Sequence, residues 1–390
     1  MLALTIILVS LALLGHAAFW LGLMNRWHAV GLARPIVKGV LLVLYVTSVA
    51  IPLAVLYYLA ESVPVNGQPN AGLAAATTYV GFCAVFGLLH LTVWARRRWR
   101  ARRPPRGVQL IRTRVVDLQS QSGVPLARGP RAHAFSFFPG NQLWRLHVNE
   151  FAVELPRLPA ALAGLSICHW SDLHFSGRID KAYYHEVVRL TNQTAPDLIA
   201  LSGDICDSLA TIDWIVEILA PAQARLGKFF ILGNHDLRTR AVDRVRSAMR
   251  EAGFIDVAGE RLRIHDGLIE ISGDERPWFD TTFEPSPAQS SSAQRLRMLL
   301  AHTPDRMPWA RSQGFDLMLA GHTHGGQIRL PLVGPLVCPS WHGVKYADGF
   351  FSEPPTLLHV SRGTGSLLPL RFHCPPEFTK LVLRKSKTRP

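Results

Sequence analysis

Three runs without a charged side chain open the chain, over 1–24, 39–60 and 71–95. About 20 apolar residues span a bilayer core. The pattern therefore predicts membrane spans over about 2–24, 39–60 and 71–95, and an all-α membrane region of about three helices over 1–98. The first run has no basic segment before it and no clear A-x-A site, so it reads as retained rather than as a cleaved signal peptide. Pro52 inside the second run predicts a kink, which neighbouring helices tolerate.

The pattern then changes twice. Residues 99–142 are basic and rich in Pro, Gly and Ser, and read as a linker with a short strand around Val115. From 143 onward short apolar runs alternate with amphipathic ones. The runs 143–155, 165–170, 197–202, 228–232, 298–301, 316–320, 356–360 and 378–383 predict strands, with two more within 262–271. The stretches 181–194, 208–225 and 238–252 predict helices. Alternation of this kind argues for an α/β domain over 143–390 whose helices cover a sheet.

Composition narrows the class. Nearly half of the 390 residues are hydrophobic (48%), which excludes a disordered chain. The five cysteines are far apart and form no CxxC, which excludes a zinc ribbon and argues against a disulfide framework. The net charge of +14 is uneven: residues 1–106 carry ten Lys and Arg against one acid, Glu61. That excess flanks apolar runs, so it points to a membrane, and nucleic acid is not expected as a partner. The loop after the first run holds Arg26, Arg34 and Lys38, the next loop holds none, and seven arginines follow the third run between Arg96 and Arg106. Lys and Arg mark the cytoplasmic side. The chain is expected in an inner or plasma membrane with its C-terminal domain in the cytoplasm and Arg96–Arg106 against anionic lipid head groups.

The chemistry-bearing residues sit where the predicted strands end. Asp172-Leu173-His174 follows the first, Gly203-Asp204-Ile205-Cys206-Asp207 the second and Gly233-Asn234-His235-Asp236 the third. His302 and Gly321-His322-Thr323-His324 follow two later ones. The carboxyl edge of an open α/β sheet is where ligands bind. His, Asp and Asn without a thiolate suit Mn, Fe, Co or Zn. Glycines before Asp204, Asn234 and His322 let the backbone turn beneath them. Asp207 and Asp236 are candidates to orient a histidine, or else cap a turn. Cys206 and His169 read as packed residues, Arg362 as part of a turn that could touch phosphate, and 273–294, with Trp278 and Phe279, as a flap or an insertion.

Taken in order, Asp172-x-His174, Gly203-Asp204-x-x-Asp207, Gly233-Asn234-His235-Asp236, His302 and Gly321-His322-x-His324 resemble the calcineurin-like metallophosphoesterases. The run from Gly321 to Pro331 and the segment from Val360 to Glu377 resemble the bacterial membrane-associated phosphodiesterase branch of that family, over about 144–385. The resemblance implies an αββα sandwich and two divalent metal ions. Asp172, His174 and His324 would hold the first, Asn234, His302 and His322 the second, and Asp204 both. His235 would be the catalytic histidine, with Asp236 beside it. Two divalent ions against two carboxylates leave such a site positive, suited to a phosphate ester. They also acidify water, supplying a bridging hydroxide for in-line attack. The branch includes UDP-2,3-diacylglucosamine hydrolases, and the anchor favours a lipid-linked phosphodiester or pyrophosphate as substrate. The alternatives are a tethered phosphomonoesterase acting on phosphoprotein or nucleotide, and a non-catalytic metal-bound membrane scaffold.

Overall fold

The computed structural model describes residues 1–61, 71–101, 104–281 and 295–386, in two units, Met1–Arg103 and Pro104–Pro390. The loop 62–70, Arg102, Arg103 and the 282–294 part of the expected flap lie outside the described residues.

The first unit holds helices α1 (Leu2–His28), α2 (Arg34–Ala60) and α3 (Ala71–Ala101). Each is long and apolar enough to cross a membrane. Helices α1 and α3 touch at glycines: a Cβ on Gly87 would overlap the Leu11 carbonyl and lie 3.0 Å from the Gly15 nitrogen. Small residues allow this approach where helix association gains nothing from the hydrophobic effect. The polar side chains inside the bundle are paired. His16 bonds Tyr79 Oη at 2.8 Å and the Ser48 carbonyl at 2.9 Å, and Trp20 Nε1 donates to Tyr79 Oη at 3.1 Å.

The second unit is two mixed sheets flanked by helices. In chain order its strands are β1 (Val108–Asp117), β2 (Arg145–Leu155), β3 (Ser166–Trp170), β4 (Leu198–Ser202) and β5 (Gly227–Ile231). There follow β6 (Phe254–Asp256), β7 (Arg261–Ile264), β8 (Ile269–Asp274), β9 (Leu296–Ala301) and β10 (Leu317–Ala320). The hairpin β11 (Arg329–Leu330) and β12 (Gly334–Pro335) precedes β13 (Gly349–Glu353), β14 (Thr356–Val360) and β15 (Glu377–Lys385). One sheet runs β1-β2-β15-β3-β4-β5-β6 and the other β13-β14-β10-β9-β8-β7. Helices α4 (Leu118–Ser122), α5 (Pro130–Ser136), α6 (Lys181–Gln193), α7 (Trp214–Leu219), α8 (Val242–Glu251) and α9 (Met307–Ser312) complete it.

The central strands read as unbroken apolar runs because both of their faces are buried. In β4, Leu198 and Ala200 pack between the sheets, while Ile199 and Leu201 pack outward with residues of α6, α7 and α8. In β10, Leu317 and Leu319 face the other sheet, whereas Met318 and Ala320 pack with Met307 and Ala310 of α9. The result is helices, sheet, sheet, helix, as the αββα resemblance implied.

Two expected elements come out differently. The stretch read as a linker with a short strand around Val115 does carry that strand, but as the ten-residue β1, which pairs antiparallel with β2 along the sheet edge, and it adds the short helices α4 and α5. Most of β1 is exposed, although half of its residues are aliphatic, and backbone hydrogen bonds to β2 hold it at the edge. The helix expected over 208–225 is a 3-10 turn, Leu209–Thr211, and then α7, which gives out at Leu219, close ahead of Pro221.

Candidate metal centre

Strands β3, β4 and β5 run parallel, as do β9 and β10, so their carboxyl ends deliver their loops to shared edges. Backbone bonds lace the loops together: Asp172 N–H donates to the Gly203 carbonyl and His174 N–H to that of Asp204, each at 3.0 Å. Five candidate ligands, Asp172, His174, Asp204, His322 and His324, sit at φ between 50° and 69°. Non-glycine residues hold that left-handed conformation at a cost of about 1–2 kcal/mol each. Such strain collects where the surrounding structure fixes side chains for function.

The glycines serve two purposes. Gly203 has φ 91°, the turn the sequence suggested. Gly233 and Gly321 have no positive φ and are there for room. A Cβ on Gly233 would lie 2.6 Å from the Asp204 nitrogen and 2.7 Å from His302 Cε1. One on Gly321 would lie 2.8 Å from Ser171 Cβ and overlap the Asp172 carboxylate.

The side chains converge as two groups that share one member. Asp172, His174, Asp204 and His324 form the first, and Asp204, His302 and His322 the second. In the first, His174 Nε2 lies 3.0 Å from His324 Nε2, and His324 Nε2 lies 3.3 Å from Asp172 Oδ1. In the second, His302 Nε2 lies 3.3 Å from Asp204 Oδ1 and 3.1 Å from Asn234 Oδ1. The structure thus brings all seven expected ligands together.

The outer hydrogen bonds fix the tautomers. A carboxylate or carbonyl oxygen only accepts. His174 Nδ1 therefore donates to Asp207 at 2.8 Å and His302 Nδ1 to the Ser202 carbonyl at 2.8 Å. In the neutral rings both Nε2 lone pairs face the cluster, as metal-ligating histidines are arranged. The donor set fits divalent cations on two further counts. Among the described residues, buried His322 Nε2 has no hydrogen-bond partner. Burial would lower the pKa of His174 and His302, yet the carboxylates outweigh it and push both up to about 9: Asp207, Asp204 and Asp172 around His174, Asp204 and Asp172 around His302. The cluster demands positive charge, and without a cation a proton supplies it. His322 and His324 are held well below 6.5 by burial and by neighbouring histidines.

His235 lies outside the two groups that share Asp204. Its N–H donates to Asp204 Oδ1 at 2.7 Å, and its Nδ1 donates to Asp207 Oδ1. Asp207 thus takes both His174 and His235, and its own pKa is depressed because those histidines outweigh burial. Asp236 is placed otherwise. Its buried carboxylate accepts the backbone N–H groups of Gly233 (2.8 Å), Ile205 (3.0 Å) and Cys206 (2.8 Å) and bonds no histidine. It braces two ligand loops, and burial, with Asp204 nearby, pushes it up to about 7. The orienting contact that the sequence left open between these two acids belongs to Asp207.

Cys206 is buried, with Sγ 3.2 Å from the Ser208 carbonyl, and His169 is buried between His359 and Ser202. Arg362 pairs with the buried Glu377, its Nε at 2.8 Å, so its guanidinium is committed within the fold. Two further neighbours are Trp278, which the sequence offered only as part of a flap or insertion, and Arg371, which it did not single out. Trp278 lays its ring 4.7 Å from that of His322 and 5.4 Å from that of His302. Arg371, fully buried, donates to the carbonyls of Gly365 (2.6 Å) and Arg362 (2.8 Å) and reaches His324 Nδ1 at 3.4 Å.

The sequence profile described as Calcineurin-like phosphoesterase matches residues 165–326. The chain is 31% identical over 253 residues to the metallophosphoesterase YkuE of Bacillus subtilis, covering 62% of this chain and 86% of that one. It is 32% identical over 227 residues to phosphodiesterase YaeI of Escherichia coli, covering 57% and 83%. Over 300 residues it is 26% identical to UDP-2,3-diacylglucosamine pyrophosphatase LpxG of Chlamydia muridarum, covering 60% and 90%.

Proposed function

Because the chain belongs to the calcineurin-like phosphoesterases, and is therefore a metal-dependent hydrolase of phosphoric esters, we propose that it cleaves a lipid-linked phosphodiester or pyrophosphate at a membrane surface. The observation that carries the reading is one carboxylate, Asp204, shared by two histidine groups, with His235 beside them and held by Asp207. In this reading Asp172, His174 and His324 would hold one cation, Asn234, His302 and His322 a second, and Asp204 would serve both; Mn, Fe, Zn and Co all suit these donors. Bound there, the cations would supply Lewis acidity for activating water and drawing charge from phosphoryl oxygens.

The chain's own residues do the rest. Asp207 accepts from His235 Nδ1, which leaves Nε2 for the substrate. Burial lowers the pKa of His235, while the Asp204 and Asp207 carboxylates work against that. With a proton on Nε2 the ring is an imidazolium supported by Asp207 at Nδ1; giving the Nε2 proton to the leaving oxygen returns it to the neutral form. Asp236 and the left-handed ligand residues keep the loops rigid, so that reacting groups meet in one geometry.

The lipid part of the reading is supported by three apolar helices on the same chain and by the lipid-linked substrate in the printed name of a relative. The arginines between Arg96 and Arg106 support a cytoplasmic catalytic domain, checked by a C-terminal reporter that must be active only inside the cell. The enzymatic test uses the full chain in detergent with Mn²⁺. Turnover of bis-p-nitrophenyl phosphate should depend on metal and be lost in Asp204→Asn and His235→Ala. Wild-type turnover in both variants would overturn the site. At least tenfold faster cleavage of UDP-2,3-diacylglucosamine than of UDP-glucosamine lacking the acyl chains is expected, and equal rates would overturn the lipid assignment.

A further inference from the structure

The loop that carries His324 continues into an apolar finger. After the turn His324–Gly326, the hairpin β11–β12 projects Leu332 at its tip, 83% exposed, with Val333 beside it. Ile328, Leu330, Val337 and Trp341 along the same segment are also exposed. Single exposed hydrophobes are ordinary, but six large ones within 328–341 are not.

Two other segments join this one side by side. Ile328 and Asn141 both bridge to Phe372, and Arg329 N–H donates to the Phe372 carbonyl at 2.9 Å. Gln327 Nε2 donates to the carbonyls of Leu368 and Leu370 at 2.9 Å each. Asn141 Nδ2 donates to the Phe135 carbonyl at 2.8 Å, next to Phe137, 82% exposed, and Phe138. The finger, the 366–373 loop and the end of α5 with its following turn thus make one face, bearing Leu332, Val333, Phe137, Phe138 and Leu368.

The charge of this face has one sign. The segments that form it, 130–141, 327–341 and 366–373, contain no acid; Arg329 is paired with Asp348 and Arg371 is buried, so the exposed charge within them is that of Arg131. Arg131 is exposed on α5, and exposed Arg178 ties in through a bond from Nη1 to the Leu367 carbonyl at 3.0 Å. An apolar tip set among basic residues is the composition of a surface that lies in a lipid interface. A second copy of the chain fits poorly, since a twofold contact would set arginine against arginine.

We propose that this face docks on an anionic bilayer surface, with Leu332, Val333, Phe137 and Phe138 entering the boundary between head groups and acyl chains. The inference goes beyond the proposed reaction, because it concerns where the catalytic unit rests and not what it cleaves. Docked this way, the loop bearing His324 opens at the level of lipid head groups.

The test uses the full chain in nanodiscs of phosphatidylcholine and phosphatidylglycerol, some lipids carrying a nitroxide near the top of the acyl chain. An environment-sensitive dye is placed at Leu332→Cys, or at Phe137→Cys as a second reporter. Ile255→Cys, exposed on β6, is the aqueous reference, and Val46→Cys in α2 reports the anchor separately. Dye at 332 or 137 should shift to the blue and be quenched at least twofold by the nitroxide, with dye at 255 unaffected. Adding Arg131→Glu and Arg178→Glu should weaken the quenching at 332. If dye at 332 and 137 behaves as at 255 while dye at 46 is quenched, the anchor stands and the docking falls. A blue shift without nitroxide quenching would mean protein covers the face, and would equally overturn the proposal.

Discussion

Gly233→Ala tests whether the cluster depends on close approach rather than on chain flexibility. Gly233 has an ordinary φ, so alanine suits its backbone. The added Cβ would stand 2.7 Å from His302 Cε1 and 2.6 Å from the Asp204 nitrogen. Carbon atoms rest about 3.5 Å apart, so the His302 ring must retreat by roughly 0.8 Å. The Asp204 backbone must give by a similar amount, although the Asp204 carbonyl is committed to His174 N–H at 3.0 Å. Displacement of about 1 Å at a reacting centre costs on the order of 100-fold in rate, or about 2.7 kcal/mol of transition-state stabilisation. We expect kcat/KM on bis-p-nitrophenyl phosphate to fall about 100-fold. Overpacking of this kind costs about 1–3 kcal/mol, so the melting temperature should fall by several degrees without loss of the fold, and tightly bound metal should decrease. Gly81→Ala in α3, at an ordinary φ and with nothing within 4 Å of its Cβ, is the matched control. Full activity in Gly233→Ala with wild-type metal content would refute the reasoning.

Two further expectations rest on hydrogen bonds and burial. Asp207→Asn cannot accept from both His174 Nδ1 and His235 Nδ1 as a carboxylate does; activity should fall about 10–100-fold, with a displaced pH–rate profile. An unchanged profile would mean that Asp207 orients neither ring. Burial holds His359 down to about 4, with its Nδ1 2.8 Å from that of His169. Its unfolded value is about 6.5, so its neutral form carries stability that is intact above that pH. That stability is lost as pH falls from about 6.5 to about 4, reaching about 2 kcal/mol by pH 5. In urea unfolding followed by tryptophan emission at pH 7.5 and 5.0, His359→Gln should lose about 2 kcal/mol less than wild type; equal losses would contradict it.

The sequence alone determined whatever depends on the local environment of each residue. The three uncharged runs became α1, α2 and α3 because length and apolarity suffice to make such helices. The runs 197–202, 228–232 and 316–320 declared buried strands because both faces are covered, and their closing His, Asp and Asn marked the cluster. Only the tertiary structure decided what depends on partners distant in the chain. The sequence marked a short strand around Val115, but the full length of β1 and its place at the sheet edge follow from backbone pairing with β2, which no side-chain pattern specifies. Strand β15, the last in the chain, enters between β2 and β3, a pairing that apolarity cannot specify. Asp207 and Asp236 are the same residue type beside the same ligands, yet one faces two imidazoles and the other three amides. Gly233 and Gly321 look like turn residues, but what excludes a Cβ is atoms of other loops. Residue type and spacing record burial and chemistry, whereas the direction of a side chain and the space around it are set by loops that meet only once the sheets are formed.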